Sequence, residues 1–418
     1  MNRHRVWAEI DLWALGHNLG VIRRRAGSHV RILLVVKADA YGHGAVPIAR
    51  HALSCGVEAF GVSSSAEALE LRSAGLAAPI LILGIPIEEE LVDCLHNDIH
   101  VGVHSSDRRA SLERLASAHG LVAKVHLNVD TGMGQLGVPP ELALGLLAEI
   151  HASPSLELAG IMTHVASPRG LLDGSARLQE ARFARLIAEA DERGMRRGWV
   201  HIANSATLFS STATRSEPNV FDTVRPGIAA YGILDGELDP QEELEPVLSL
   251  RSQVVYLRDV QPGTPVGYGG TWRAEQPTRI ATLAVGYDDG VPWRIGGLGE
   301  VLVRGRHAPI IGRVSMDYTS IDVGHIPDVQ VGDVATLVGR DGPESIRLRE
   351  VAGQAKTIPY ELTCSIGRRV ARVIKGPVSD SASTMSHHPK RSGLDAPTGT
   401  AAWRTTESPR PSGLSGAP

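Results

Sequence analysis

The chain has 418 residues, 43% of them hydrophobic, which is more than one ordinary domain needs and enough to bury a large core. Its 42 basic and 46 acidic residues leave a net charge of −4, a balance without a basic stripe for nucleic acid, so a small-molecule partner is expected. Cys55, Cys94 and Cys364 are too dispersed for a metal set or a disulfide framework and read as reduced thiols of a cytoplasmic protein. Residues 1–11 lack the apolar core of a signal peptide, and no apolar run approaches the length of a membrane span, so no membrane contact is expected.

In chain order, Val6-Trp7-Ala8-Glu9-Ile10-Asp11 reads as a strand. Eight β-rich runs follow at 31–36, 58–62, 79–83, 99–103, 122–128, 157–163, 199–203 and 223–229. Helical patterns separate them at 45–55, 66–74, 88–96, 107–119, 140–151 and 177–193, with a short seventh crossover at 206–210. In 177–193, Leu178, Ala181, Phe183, Leu186, Ile187 and Ala190 recur at helical spacing between charges. Eight strand–helix units in series predict a parallel sheet, and eight strands close a barrel. A doubly wound open sheet is the alternative, and it would place a glycine-rich phosphate loop after the first strand. That strand instead runs into Val36-Lys37-Ala38-Asp39-Ala40-Tyr41-Gly42-His43-Gly44.

After residue 240 the segments 252–258, 279–285, 301–303, 309–311, 320–323 and 334–338 are short and β-branched, punctuated by Pro262-Gly263, Val331-Gly332-Asp333 and Asp341-Gly342. The expected class is α/β: an N-terminal (β/α)8 TIM barrel over 1–240, then a mostly β domain over 241–376 to whose sheet residues 1–11 can add. Residues 377–418, dominated by Ser, Pro, Gly and Thr, read as a disordered tail.

Barrel active sites form at the C-terminal ends of the strands. Lys37 ends the first strand, where a buried ammonium is costly, so it is either a rim lysine reaching solvent or a reactive amine. Tyr41, His43 and two glycines beside it favour the second. Asp130-Thr131-Gly132-Met133-Gly134 follows the fifth strand and is either a ligand loop or a tight turn. His201-Ile202-Ala203-Asn204-Ser205 closes the seventh strand and Val224-Arg225-Pro226-Gly227-Ile228 the eighth. Loops at those positions bind phosphate in many barrels, a task suited to Ser205 and the amides of Gly227 and Ile228. Arg225 fits a phosphate ligand or an ion pair equally. In the second domain, Gly267-Tyr268-Gly269, Gly286-Tyr287-Asp288 and Ser315-Met316-Asp317 are weaker candidates.

Together these motifs, in this order from Val6 to Val373, resemble the alanine racemase family. The resemblance implies a barrel followed by a β domain, paired head to tail in a homodimer whose active sites lie between one chain's barrel and the other's β domain. It implies pyridoxal 5′-phosphate held by Lys37 as a Schiff base, and no metal. Tyr41, Ser205, Gly227, Ile228 and Tyr360 would bind its phosphate, Arg225 would face its pyridine nitrogen with His164 and His201 behind, and Asn204 completes the cofactor set. Lys37 and Tyr268, the latter from the other subunit, would be two bases on opposite faces of an amino-acid substrate. Both residue types ordinarily titrate at about 10, so each needs tuning by burial or charge. Gln135, Tyr287, Met316 and Asp317 would line the substrate region. The implied reaction is L-alanine to D-alanine interconversion.

Four features depart from the family pattern. Asn128 stands where relatives commonly have a lysine, and Gln135 where they have an arginine. Ser315 replaces a common cysteine, and Ser167-Pro168-Arg169-Gly170 a commonly acidic loop. The amide pair reads either as a neutral exchange or as a changed substrate. The rivals are a racemase of another small or polar amino acid such as serine, and a decarboxylase of related architecture. A non-catalytic cofactor-binding protein is a third, disfavoured by the β domain.

Overall fold

The computed structural model describes residues 4–166, 174–195, 198–209, 221–234 and 244–377. The expected tail, apart from Pro377, and the Ser167–Gly170 departure lie outside them. Eight strands form the closed parallel barrel: β2 (Arg31–Val35), β3 (Ala59–Val62), β4 (Ile80–Ile82), β5 (Ile99–Val103), β6 (Ala123–Val129), β7 (Leu156–Thr163), β8 (Trp199–His201) and β9 (Thr223–Val224). The ring closes where Arg31 and Ile32 pair with Thr223 and Val224. All five residues of β5 are buried, as expected for a parallel strand covered on both faces. Helix starts are punctuated by side chains: Ser64 Oγ accepts from Glu67 N, and Ser105 Oγ from Arg108 N at 3.1 Å. Each such cap stabilises by about 1 kcal/mol. Among the described residues no helix is long and apolar enough to cross a membrane.

The eighth strand is shorter than the run 223–229 suggests. Pro226 has no amide to donate, and the Gly227 amide turns to Ser205 Oγ at 2.9 Å, so the chain leaves the sheet after Val224. A 3-10 turn, Ile228–Tyr231, takes its place.

The initial strand β1 (Val6–Asp11) belongs to the other sheet. It pairs antiparallel with β10 (Leu248–Val260) and parallel with the strand Ala371–Lys375. Beyond β10, six strands, Thr278–Leu283, Glu300–Val303, Arg306–Ile311, Thr319–Asp322, Val334–Asp341 and Glu344–Ile346, continue this sheet, and Val334–Asp341 pairs back onto β10. Two helices interrupt the mostly β region, Leu348–Ala355 and Pro359–Cys364. Helix Leu12–Ala26 carries the chain from β1 to the barrel, and its fully buried Asn18 holds the join. Asn18 Nδ2 donates to the Ala230 and Glu245 carbonyls, and its Oδ1 accepts from Glu245 N.

Candidate active site

Directly after β2 the backbone does something that no side chain here favours. Ala38, Asp39, Ala40 and Tyr41 all take left-handed helical angles, with φ of 52–53°. For L-residues this costs about 1–2 kcal/mol each, so the surroundings must impose it. They do so with hydrogen bonds from both ends. Glu67 accepts from Ala38 N at 2.7 Å, Asp39 Oδ1 from Ala45 N at 2.7 Å, and Gly44 N donates to Asp39 O. The buried His43 ring sets Nδ1 within 2.9 Å of the Ala40 carbonyl and 2.8 Å of the Tyr41 carbonyl. Gly42 closes the turn at φ +80°, and a Cβ there would sit 2.1 Å from the Thr363 carbonyl. That close approach seats helix Pro359–Cys364 on the turn, which brings Tyr360 to 6.2 Å from the Tyr41 ring.

The turn opens onto a cavity of about 350 Å³ at the C-terminal rim of the barrel. Lys37, Tyr41, Gln135, His164, Asn204, Ser205, Arg225, Gly227, Ile228 and Tyr360, all picked out from the sequence, line it, and so does Asn128. Tyr268, Tyr287, Met316 and Asp317 do not line it. Tyr268 stands 71% exposed on the C-terminal part of the same chain, with Tyr287 and Met316 about half exposed. A second void, of about 30 Å³ and mostly aliphatic, has room for little more than a water molecule.

One wall of the large cavity is a cradle. Ser205 Oγ accepts from Gly227 N at 2.9 Å and Ala229 N at 3.2 Å. The Tyr41 hydroxyl comes so close that a Cβ on Gly227 would lie 2.6 Å from it, so only glycine leaves the space open. Burial, with Tyr360, Cys364 and Glu67 nearby, raises the Tyr41 pKa, which keeps its phenol a neutral donor. Asn204 is engaged structurally: its Oδ1 caps Thr207 N and its Nδ2 donates to Val165 O.

Another wall is electrostatic. Arg225 is fully buried, and burial pulls its pKa down to about 10, so it remains charged at neutral pH. Among the described residues no carboxylate pairs with it. Its hydrogen-bond partners are His201 Nδ1 at 2.9 Å, His164 Nδ1 at 3.3 Å and the carbonyls of Thr163 and Ile202. His164 opens on the cavity but is otherwise enclosed; burial, then Arg225, then Lys37 push its pKa down to about 4. Lys37 has no carboxylate partner among the described residues.

The Asp130 loop is the tight turn of the two earlier readings as far as its amides go. Asp130 Oδ1 accepts from Gly132, Met133 and Gly134 N at 2.8–3.1 Å. Partial burial raises the Asp130 pKa, but these three amides outweigh it and the net shift is downward. The turn presents Met133 and Gln135 to the cavity. On the C-terminal part, Arg369 joins the two loops that carry Tyr287 and Met316. It bonds Asp289 Oδ1 at 2.7 Å, Asp317 Oδ1 at 2.7 Å and the Met316 carbonyl at 3.1 Å, while Asp289 also accepts from Gly286 N. Asp317 is thus part of this brace. No described group of three His, Cys, Asp or Glu is placed to hold a metal.

Sequence reading did not single out His126 and His100. A histidine inside an apolar strand reads as core, and its only signal was that His126 and Asn128 share one face of β6.

A parallel eight-stranded barrel with a lysine-lined cavity at its C-terminal rim, followed by a mostly β domain, defines a two-domain barrel enzyme class. Residues 10–235 match the model of the alanine racemase N-terminal domain, and residues 247–374 that of its C-terminal domain. An alanine racemase of Syntrophobacter fumaroxidans is 42% identical over 364 residues, 87% of this chain and 95% of its own. The crystal structure of alanine racemase from D-cycloserine-producing Streptomyces lavendulae superposes with a TM-score of 0.82 at 33% identity, covering 90% of this chain and 98% of that one. That of Bartonella henselae alanine racemase with covalently bound pyridoxal phosphate gives 0.78 at 29% identity, covering 89% and 99%. The chain belongs to the alanine racemase family.

Proposed function

We propose that this protein interconverts L- and D-alanine with pyridoxal 5′-phosphate, as a homodimer whose two active sites each take Lys37 from one subunit and Tyr268 from the other. The observation that carries this reading is the convergence on one cavity of a lysine and a buried guanidinium, neither with a carboxylate partner among the described residues, and a cradle that a Cβ on Gly227 would fill. These residues fit the cofactor. The hydroxyls of Tyr41, Ser205 and Tyr360 and the Ile228 amide suit a phosphate, which the Gly227 amide would reach by turning from Ser205 Oγ, and the Lys37 amine would bond the aldehyde carbon. When bound, the cofactor supplies the electron sink that acidifies the substrate Cα–H.

The chain's own residues then do the rest. Arg225, charged and lining the cavity, would face the cofactor's pyridine nitrogen, where it would disfavour a proton, weaken the sink and limit transamination. Neutral His164 keeps a second positive charge out of the site. Lys37 moves the proton on one face of the substrate and Tyr268 of the second subunit moves it on the other. Tyr268 is exposed and outside its own chain's cavity, as a residue donated to a neighbouring subunit would be. Asn128 and Gln135 offer amides rather than charge to the substrate, which keeps serine as the second reading.

The test is a racemisation assay on purified protein with added pyridoxal phosphate and a panel of L-amino acids, read by chiral separation. L-Alanine is expected as the best substrate. Preference for another amino acid would move the specificity to the amide pair, and cofactor uptake without racemisation of any substrate would overturn the reading.

A further inference from the structure

Behind Arg225 the barrel core holds a row of imidazoles. Arg225 Nη1 lies 2.9 Å from His201 Nδ1, His201 Nε2 lies 2.9 Å from His126 Nδ1, and His126 Nε2 lies 3.0 Å from His100 Nδ1. The row runs down the barrel from β8 through β6 to the second residue of β5. His201 and His126 are fully buried, and His100 is 6% exposed. Trp199 packs on both His126 and His100.

The direction of every bond in this row follows from its first member. A guanidinium only donates, so His201 Nδ1 must accept and its proton must sit on Nε2. That N–H obliges His126 Nδ1 to accept in turn, and the His126 Nε2–H obliges His100 Nδ1 likewise. A cationic imidazole anywhere in the row would set two donors face to face. Burial first, then neighbouring positive charges, opposes such a cation: His201 and His126 are held well below their ordinary pKa and His100 at about 4. The charged groups near the row are Arg225 at the site end and Lys124, Asp98 and Arg72 at the far end. Three aligned imidazoles thus turn their lone pairs toward Arg225, where a carboxylate would ordinarily stand. The barrel wall is also shaped for the row. A Cβ on Gly160 would fall 2.5 Å from His126 Nδ1, although Gly160 needs no left-handed backbone.

We propose that His201, His126 and His100 form one oriented relay that holds Arg225 as a charged donor toward the cavity, with His126 and His100 as positioning residues. Only the second arm of the test rests on the cofactor reading above. If the row is broken, His201 is free to place a proton on Nδ1, facing Arg225. The guanidinium is then less firmly held and suppresses protonation of its cavity neighbour less.

The first arm uses cofactor-free protein with 15N-labelled histidine, its signals assigned with His126→Phe and His100→Leu. Long-range 1H–15N correlation is expected to show all three rings as neutral Nε2–H tautomers at neutral pH. A Nδ1–H or doubly protonated His201 or His126 overturns the relay. The second arm follows the visible absorbance of the cofactor-loaded protein against pH. His126→Phe, His100→Leu and Gly160→Ala should move the titration midpoint up by about one pH unit. His126→Gln, which keeps a donor and an acceptor, should restore part of it. Loss of thermal stability with unmoved spectra would make the row mere core filling and sink the proposal, and His100→Leu and Gly160→Ala decide this even if His126→Phe does not fold. Should the wild-type protein take up no pyridoxal phosphate, the proposed function fails while the tautomer measurement still decides the relay.

Discussion

Two arginines organise two regions of this molecule by opposite means. At the barrel mouth, Arg225 is fully buried and surrounded by neutral acceptors, the imidazoles of His201 and His164 and two carbonyls. In the C-terminal part, Arg369 is exposed and faces three carboxylates, Asp288, Asp289 and Asp317. The first arrangement leaves a cation unneutralised and therefore able to act on whatever enters the cavity. The second sets one cation among three carboxylates, which leaves the excess charge negative, and ties together the loops that carry Tyr287 and Met316. The enclosed cavity goes with the barrel; the brace and the exposed Tyr268 and Tyr287 go with the β domain.

The comparison can be broken at several points. Lys37→Ala should remove racemisation by about 10³-fold or more, together with the visible absorbance of the bound cofactor. Retention of either would place the reactive amine elsewhere. Tyr268→Phe should lower turnover by about 10²-fold or more, with melting little changed because only the hydroxyl is removed and it packs in no core of its own chain. Mixing Lys37→Ala and Tyr268→Phe subunits should restore part of the activity, since one of the two shared sites is then intact; no restoration would put both residues in one chain's site.

Arg369→Met leaves the fully buried Asp289 carboxylate without its main partner, although Arg5 lies 3.6 Å away. Because Arg369 is exposed and solvent screens the pair, the loss is expected at about 1–2 kcal/mol, measurable by urea unfolding. A loss well under 1 kcal/mol would show that the brace is dispensable. The barrel should instead respond to acid. His43, His100 and His164 have folded pKa values lowered to about 4, chiefly by burial, and burial likewise holds His126 and His201 well below their ordinary value. Between these values and the ordinary 6.5 the unfolded chain binds more protons, so stability is full above about 6.5 and falls as pH drops toward 4. The slope is at most about 1.4 kcal/mol per pH unit for each group. Replacing His126 by Phe should flatten that dependence, and an unchanged slope would mean that its ring is not neutral in the fold.

Much of this was legible along the chain because periodicity and punctuation report burial directly. The run 99–103 reads as a strand and is one, and 88–96 reads as a helix and is one, since parallel strands and amphipathic helices each leave a plain pattern. The eighth strand was overextended because Ile228 and Ala229 look β-compatible, while Pro226 and the pull of Ser205 on Gly227 act across the fold. The left-handed turn at Ala38–Tyr41 was not readable, since alanine and tyrosine disfavour it and the milder tolerance of one aspartate marks no run of four. Thr363, Glu67 and His43 impose it, and two of those lie far along the chain.

What the amino-acid order determined by itself is the parade of strands and helices, the change to β texture after residue 240, and the ordered motifs that place Lys37, Ser205, Arg225 and Gly227 at strand ends. Only the tertiary structure decided that β1 joins the C-terminal sheet and that helix Pro359–Cys364 returns to lend Tyr360 to the barrel's cavity. It alone lined up His201, His126 and His100 behind Arg225. The physical reason is range: a local pattern records which side of an element is buried, whereas pairing between distant segments depends on hydrogen bonds and close approaches that exist only once the barrel has closed.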